Sequence, residues 1–529
     1  MTKGMGRAAL IVSAGILLSR ILGLVRESVM AALLGAGTDA AVYVAAFAIP
    51  DVLYYLMAGG YLSITFIPIL SRHLADDDEA GQWNSFTAIA KPVTTAMVLI
   101  TGTAMVFSNQ LVDLVYVTLP RLLDSDATVA LGPSELSQVA HLTRIVLPAQ
   151  TFFMLGSLLA AVQYAHRRFA LPSLAPLVYN LAIIIGGALG PSLGLAGPEG
   201  FAWGALAGAA LGNFGLQLYG ARQVGLRWVK GIAWRTPVMG EYLRLAIPLM
   251  LGQSIAVLDA QFIPIFGQTL GESAISQLYY GRRLNMFPVG IIAQAAGVAA
   301  YPYLARLSEE GKLSEMSAVL TRALRYTIFA GFGAAAAVYA AAAPAVRLAY
   351  QRGDFLSSDT VAVSVALTIY SFSIPLWGAH QVYSRGFYAR RKMWTPVGIG
   401  TLWTVVGAGI YWWLVGNYGA VGLATASVVT MALYTLHLGA AWHRQRDVSG
   451  FRDLLGVTGR SALAAAAAGA AGLEIVRFVT GPAGSIRPLG SVAGLGVATI
   501  VVGGIFLAGI RLMGGTEMSE LRASRGVPD

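Results

Sequence analysis

The sequence predicts an all-α polytopic membrane protein with about fourteen transmembrane helices. Of its 529 residues, 56% are hydrophobic and only 12% are charged, whereas a soluble domain carries about 25% charged residues. Each membrane helix needs roughly 20 mostly apolar residues, so this composition supplies about fourteen spans and leaves little for a soluble domain. It therefore excludes a soluble enzyme, a disordered chain and a receptor with a large ectodomain.

Fourteen apolar stretches give the predicted helices. They lie near residues 8–34, 40–71, 85–108, 138–165, 171–192, 199–220, 242–267, 274–305, 320–345, 360–388, 395–415, 418–441, 460–480 and 488–512. Internal prolines predict kinks, because proline lacks the backbone donor that the preceding turn needs; they are Pro50, Pro68, Pro148, Pro288, Pro302 and Pro375. The first stretch is interrupted by Arg20, so we expect it to be a retained helix and not a cleaved signal peptide.

Lysine and arginine are distributed unequally between the two sides of the predicted bundle. Roughly twenty-two lie on the termini and on alternate connections, and that side is predicted to be cytoplasmic. The opposite connections hold only Arg121, Arg347, Arg352 and Arg487. Both termini are therefore predicted to be cytoplasmic, which requires an even number of helices. The net charge of +10 reflects this bias, and no nucleic-acid partner is expected.

A faint internal repeat divides the chain. YAHRRFALP at 164–172 resembles YARRKMWTP at 388–396, and FIPILSR at 66–72 resembles AYPYLAR at 300–306. Each copy falls at the cytoplasmic end of a predicted helix, six helices from its partner, which indicates two parallel six-helix lobes; chance resemblance among basic loops is the alternative. The predicted organisation is an N-terminal lobe at 1–225, a C-terminal lobe at 236–445, two small-residue-rich helices at 458–513 and a cytoplasmic tail at 514–529.

Two arginines lie inside the first predicted span. A charge at the centre of a membrane helix costs about 2.5–3.5 kcal/mol on insertion scales, and such residues usually mark a substrate or ion pathway. Arg20 and Arg26 are separated by about 9 Å of helical rise and about 240° of rotation, so they are expected to line two walls of a broad cavity. Gly23 between them would let a ligand approach.

A second arginine pair, Arg282 and Arg283, lies early in the eighth predicted span. The planar guanidinium donates paired hydrogen bonds to phosphate oxygens. Several arginines in one cavity therefore predict an anionic, diphosphate-bearing substrate. No covalent chemistry is implied, so the protein is expected to be a transporter and not an enzyme.

The other intramembrane polar residues allow two interpretations each. Glu27, Asp39 and Asp51 would either belong to the cavity or a coupling site or neutralise the first-span arginines, and Glu27 stands seven residues from Arg20 on nearly the same helix face. Asp259 would bind a coupling cation or pair with a cavity arginine. Two residues of the tenth span, Gln381 and Arg385, would line the cavity or cap loop carbonyls.

No metal or cofactor is expected. Cysteine is absent and the six histidines show no ligand-like spacing. Energy for transport would come from a coupling cation or from the membrane potential, which is worth about 2.3 kcal/mol per charge per 100 mV.

Four segments carry a family resemblance. SRILGLVRESVMAALLGAG at 19–37 and AFAIPDVLYYLMAGGYLSITFIPILSRHL at 46–74 resemble the N-terminal signature of the MurJ (MviN) lipid II flippases, which belong to the multidrug/oligosaccharidyl-lipid/polysaccharide exporter superfamily. YYGRRLNMFPVGIIAQAAG at 279–297 and YSRGFYARRKMWTPV at 383–397 resemble later motifs of that family. The resemblance runs in order along most of the chain.

The resemblance implies an alternating-access flippase in the bacterial inner membrane. It would move lipid-linked peptidoglycan precursor to the outer leaflet, with a groove for the polyprenyl tail between the last two helices. Carried over by position, Arg20 and Arg26, with Ser19 before them, and Arg283 bind the diphosphate and sugar head. Expected partners are the lipid-linked saccharide, membrane lipids and cell-wall synthesis proteins, and the protein is expected to be a monomer.

Several positions depart from the family pattern. Tyr54 replaces an arginine of the second helix, Gly59 replaces an acidic residue, and Arg282 stands where an acidic or polar residue is usual. Asp39 lies about two residues early, with Ala41 in the usual aspartate position. These departures leave open a paralogous flippase for O-antigen or exopolysaccharide carriers. A cation-coupled drug exporter and a non-transporting cell-wall scaffold are the further alternatives.

Overall fold

The computed structural model describes residues 3–56, 62–123, 130–195, 197–231, 234, 236–445, 448, 450–482 and 487–516. Across these residues the chain is helical, and each predicted span coincides with a helix or a broken helix. The helices are α1 Lys3–Leu34, α2 Thr38–Ala46, α3 Ala48–Leu56, α4 Leu62–Ala75, α5 Glu79–Val106, α6 Ser108–Asp113, α7 Leu119–Leu123, α8 Pro133–Ala165, α9 Ala170–Leu189, α10 Glu199–Gly208, α11 Leu216–Gln223, α12 Pro237–Gly267, α13 Glu272–Glu309, α14 Leu313–Ala340, α15 Ala342–Tyr350, α16 Ser357–Ser371, α17 Ile374–Ala389, α18 Trp394–His443, α19 Phe451–Thr480, α20 Pro488–Val497 and α21 Gly503–Leu512. Wider π-type turns join three pairs of them, at Leu114–Thr118, Ala209–Gly215 and Ala498–Val502.

The helices are long and apolar enough to make this a multi-pass membrane protein. Within the described residues, seven helical stretches can cross a bilayer by length and composition, or eight if the bent pair α16 and α17 counts as one span. The predicted total of fourteen is consistent with this and stays a prediction. Helix α18 holds two predicted spans, because its backbone leaves helical geometry at Gly419, with φ 57° and ψ −134°.

The helix boundaries repeat along the chain, which confirms the two-lobe pattern. At an offset of 234 residues the matched boundaries are Lys3 and Pro237, Thr38 and Glu272, Ala75 and Glu309, Glu79 and Leu313, Val106 and Ala340, and Ser108 and Ala342. At an offset of 224 they are Pro133 and Ser357, Ala165 and Ala389, and Ala170 and Trp394. The offset changes by ten because the first copy has a longer connection before Pro133. Residues related by these offsets are called twins below.

The two motif pairs found in the sequence form the same helix ends. Arg167 and Arg391 both adopt a left-handed conformation, with φ of 58° and 57°. In the first copy the Arg168 N–H donates to the Gln163 carbonyl at 2.8 Å, and in the second the Lys392 N–H donates to the Phe387 carbonyl at 2.9 Å. These are the hydrogen bonds of a Schellman cap, usually made with glycine. An arginine in this unusual position in both copies argues against a chance sequence match.

The predicted kink at Pro50 is present, and a side chain of another helix bonds to the carbonyl oxygen that Pro50 leaves without a backbone donor. Helix α2 ends at Ala46 and α3 begins at Ala48. Since Pro50 has no N–H to donate to the Ala46 carbonyl, the Thr143 hydroxyl donates to that oxygen at 3.1 Å. The Tyr116 hydroxyl donates to the neighbouring Ala45 carbonyl at 2.8 Å. At Pro375 the predicted kink appears as a 44° bend between α16 and α17.

The chain packs as two compact units. The first contains residues 1–276 with 352–354, and the second contains 277–351 with 355–529. The first unit has one core around Phe66, Phe86 and Met154 and another around Tyr116 and Val146. It includes α12, which packs against α3, α4 and α5. The predicted lobe boundary at 225–236 follows the repeat and stays a prediction.

The second unit has its main core where α14 and α17 meet. Leu320, Leu324, Val382 and Phe387 are buried there with Trp442. The last helices form a separate cluster in which small residues of α19 contact α14 and α21. Alanine and glycine permit this close approach, as is common between membrane helices.

Candidate functional site: intramembrane arginines

Arg26 forms an ion pair with the adjacent Glu27 in the C-terminal half of α1. Its Nη2 donates to Glu27 Oε1, and the two side chains are 13% and 3% exposed. Helical spacing places Glu27 on nearly the same face as Arg20, whereas the structure pairs it with the neighbouring Arg26. The pair keeps a cation inside the span, because the carboxylate offsets part of its desolvation cost. A guanidinium has five N–H donors, so the hydrogen bond from Nη2 to Glu27 uses only one of those that Arg26 offers.

Open space lies beside α1 at the level between its two arginines. Gly23 is three residues from each, about 60° around the helix from both. A Cβ built on Gly23 would meet no atom of the described residues within 4 Å. Arg20 and Ser19 are half-buried, and Glu27, only about 40° from Gly23 around the helix, is buried. The opposite face of α1 carries exposed apolar side chains, at Leu17, Leu18, Ile21 and Val25. The helix therefore presents its arginines away from the lipid-like face.

The other first-unit candidates do not join this pair in one cluster. Asp51 lies close enough to the buried Tyr116 to interact with it electrostatically. Tyr54 packs edge to face on Phe153, with ring centroids 5.7 Å apart. Asp39 is exposed in the first turn of α2. Tyr54 is therefore part of an aromatic contact.

The second arginine pair lies near the start of α13. Arg282 is half-buried and Arg283 is exposed, with its Cζ 6.0 Å from the centre of the Tyr279 ring. One turn further on, the buried Asn285 donates from Nδ2 to Ser373 Oγ at 3.0 Å. Its Oδ1 is buried and has no hydrogen-bond partner among the residues that the structure describes. Asn285 was not predicted from the sequence, although as the twin of Asp51 it could have been found from the repeat.

The remaining candidates lie on α12 and α17. The side chain of Asp259 and the position of Gly59 lie outside the described residues. Gln381 and Arg385 are half-buried on one face of α17. In the described part of the chain, no three histidine, aspartate or glutamate side chains stand close enough to hold a metal ion.

The twins of the four arginines show whether each repeated helix carries a charge at the same position. The twins of Arg20 and Arg26 are Ser254 and Ala260. The twins of Arg282 and Arg283 are Ala48 and Ile49, which are buried and apolar. Each helix thus exists in a second copy without its arginines. Each of these four arginines therefore has an uncharged twin, so the repeated helix forms without a charge at that position.

Solved structures identify the fold. The chain matches a structure titled "Lipid II flippase MurJ, inward closed conformation" with a TM-score of 0.75, covering 94% of this chain and 98% of that one at 19% identity. It also matches an inward-facing multidrug resistance MATE family transporter of the MOP superfamily, with a TM-score of 0.66, 83% and 98% coverage and 15% identity. At these identities the matches establish the fold, which is that of the multidrug/oligosaccharidyl-lipid/polysaccharide transporters.

Sequence comparison then gives the family. The profile of the family described as lipid II flippase MurJ matches residues 30–484, and the chain belongs to that family. Among curated relatives, the probable lipid II flippase MurJ of Vibrio cholerae is 29% identical over 87% of this chain and 88% of its own. The relative from Rhizobium meliloti is 28% identical over 96% and 93%. That from Haemophilus influenzae is 30% identical over 80% and 84%.

Proposed function

We propose that this protein is a flippase that moves lipid II, the polyprenyl-diphosphate-linked peptidoglycan precursor, from the inner to the outer leaflet. The observation that carries the proposal is that each of the four membrane arginines has an uncharged twin in the other copy, and that Gly23, between the two arginines of α1, has open space beside it among the described residues. Guanidinium groups in a low-dielectric site suit a diphosphate, because their paired N–H groups match phosphate oxygens. Family membership and the fold support the same substrate class.

Arg20, Arg26 and Arg283, with Arg282 and Ser19, hold the diphosphate and the first sugar in this proposal. The two lobes expose these groups alternately to each side of the membrane. Glu27 keeps Arg26 oriented while the site is empty. Transport requires no covalent step, and the energy comes from the membrane potential or from a coupling cation, for which Asp259 is the candidate ligand.

The last two helices hold the lipid tail. Support comes from a cavity of about 360 Å³ between the end of α19 and helices α15 and α16, whose lining combines apolar residues such as Pro344 and Val476 with polar ones such as Thr368 and Arg477. The apolar part of such a lining accommodates a hydrocarbon chain at little desolvation cost. The organisation is that of a monomer in the bacterial inner membrane with both termini in the cytoplasm, working beside cell-wall synthesis proteins.

A paralogous flippase for O-antigen or exopolysaccharide carriers is the second candidate. It is favoured by Tyr54, which packs on Phe153 where family members carry an arginine. Such a paralogue would bind the same diphosphate and differ in the glycan.

Complementation separates the two candidates. A strain depleted of its own lipid II flippase should grow when this protein is expressed at the membrane. Arg26→Ala and Arg283→Ala should each fail to restore growth. Arg391→Ala provides the control, because this arginine is 84% exposed outside the membrane helices. Lack of growth with well-expressed wild-type protein would contradict lipid II transport and favour the paralogue.

A further inference from the structure

One face of α17 carries a polar and aromatic stripe that the diphosphate site does not use. Trp377, Gln381, Arg385 and Tyr388 follow one another at spacings of four, four and three residues, which places them within an arc of about 80°. All four are half-buried. The Tyr388 hydroxyl interacts electrostatically with the Arg385 guanidinium and with Tyr301 of α13.

The rest of α17 is packed inside the second unit. A Cβ added to Gly378 would lie 2.5 Å from the Thr327 side chain of α14, and one added to Gly386 would lie 2.4 Å from Leu320. Val382 between them is fully buried. The polar stripe is therefore the face of α17 that α14 does not cover. Facing an arginine to lipid costs several kcal/mol, so we expect this face to meet water or other polar groups.

The repeat again shows that the stripe is not required by the fold. The twins of Gln381 and Arg385, 224 residues earlier on α8, are Ser157 and Ala161. Ala161 is fully buried. The same helix thus exists in the first copy with a small residue in place of the guanidinium, which points to a role in ligand binding.

The depth of Arg385 separates it from the diphosphate arginines of the same unit. Arg391, just after α17, forms an ion pair with Glu309 at the end of α13, with Nη2 and Oε1 3.8 Å apart. The two helices therefore end at the same level. Arg385 lies six residues before Arg391, whereas Arg282 lies 27 residues before Glu309. At 1.5 Å of rise per residue, the two side chains differ in depth by about 30 Å.

We propose that Arg385, with Tyr388 and Gln381, binds a carboxylate of the peptide carried by the lipid-linked substrate. This rests on the proposed function. With the diphosphate near Arg282, the head group extends toward Arg385. A five-residue peptide spans up to about 17 Å, and the disaccharide before it supplies most of the remaining distance. A single guanidinium flanked by a phenol and an amide matches a planar carboxylate through paired, charge-assisted hydrogen bonds.

The test compares three lipids on the purified full-length protein by native mass spectrometry titration. They are lipid II, the same diphosphate-linked disaccharide without its peptide, and polyprenyl diphosphate alone. Arg385→Ala, which reproduces the residue of the first copy, should weaken binding of lipid II about tenfold to a hundredfold. Binding of both peptide-free lipids should stay within about twofold of the wild-type value.

Two further variants sharpen the result. Arg385→Lys keeps the charge but loses the paired geometry, so it should lose part of the preference for the peptide-bearing lipid. Arg391→Ala should bind all three lipids like the wild type.

Equal weakening for all three lipids would make Arg385 a diphosphate ligand and overturn the proposal. Unchanged binding of lipid II by Arg385→Ala and Arg385→Lys would also overturn it. Failure of the wild-type protein to bind any of the three lipids would instead contradict the proposed function.

Discussion

The Arg26–Glu27 pair can be tested for its structural and its functional role by one double-mutant cycle. The repeat supplies the substitutions, because the twins of these residues are Ala260 and the buried Gln261. The variants are Arg26→Ala, Glu27→Gln and the two combined, which reproduces the neutral pair that α12 already contains. Each replacement is therefore compatible with a helix in this position.

The size of the effect follows from the burial of the pair. The side chains are 13% and 3% exposed, and breaking a buried ion pair by removing one partner costs about 3–5 kcal/mol. Removing both charges leaves no uncompensated ion and is often close to neutral. The double variant should therefore be more stable than either single variant. For the proposed site, losing charge-assisted hydrogen bonds of about 1.5–3 kcal/mol corresponds to about a tenfold to hundredfold weaker affinity.

Two measurements on the purified protein separate these roles. Thermal unfolding followed by tryptophan fluorescence gives the order of stability, and titration with polyprenyl diphosphate gives the affinity. Arg26→Ala and the double variant should both bind weakly, although the double variant regains stability. If the loss of stability in the double variant equals the sum of the losses in the two single variants, the pair is not energetically coupled. If the double variant binds polyprenyl diphosphate as tightly as the wild type, Arg26 is not a ligand.

Two further predictions concern loops. Gly353→Ala should lower the free energy of unfolding by about 1–3 kcal/mol, because Gly353 has φ of 56° and its added Cβ would lie 2.1 Å from the Ala32 carbonyl oxygen. Gly194→Ala is the control for the backbone strain alone, because Gly194 has φ of 73° and no described atom within 4 Å of an added Cβ. If both variants lose the same amount in Tm, the contact with the Ala32 carbonyl does not contribute. The pKa of Glu310 is lowered from 4.5 to about 2, chiefly by Lys312. The ionised Glu310 carboxylate therefore stabilises the fold fully above its ordinary pKa, and this contribution is lost as the pH falls through 2. Glu310→Gln should lower Tm at pH 7 and match the wild type near pH 2. A difference in Tm that does not depend on pH would contradict this.

The helices and their repeat could be predicted from the sequence because their signals are local. Apolar length defines a span whatever its neighbours are. The Arg167 and Arg391 turns repeat because a Schellman cap depends on a few consecutive residues. The break before Pro50 was predictable for the same reason. The side chain that repairs the break, Thr143, was not, because it lies 97 residues away on another helix.

The ion-pair partners in the site were harder to predict. Helical periodicity tells which face of a helix a side chain lies on, but not which of two nearby side chains forms the ion pair. Helical spacing places Arg20 on nearly the same face as Glu27, yet the adjacent Arg26 forms the ion pair. A flexible arginine reaches along its own helix as well as across one turn, so periodicity alone does not choose. The signal that would have improved the prediction is the repeat itself. Asp51 and Asn285 are twins of similar shape, which indicates a polar role shared by both copies, whereas Arg26 and Ala260 differ in charge. Packing of the fold accounts for what the copies share, and we expect transport to depend on the residues in which they differ.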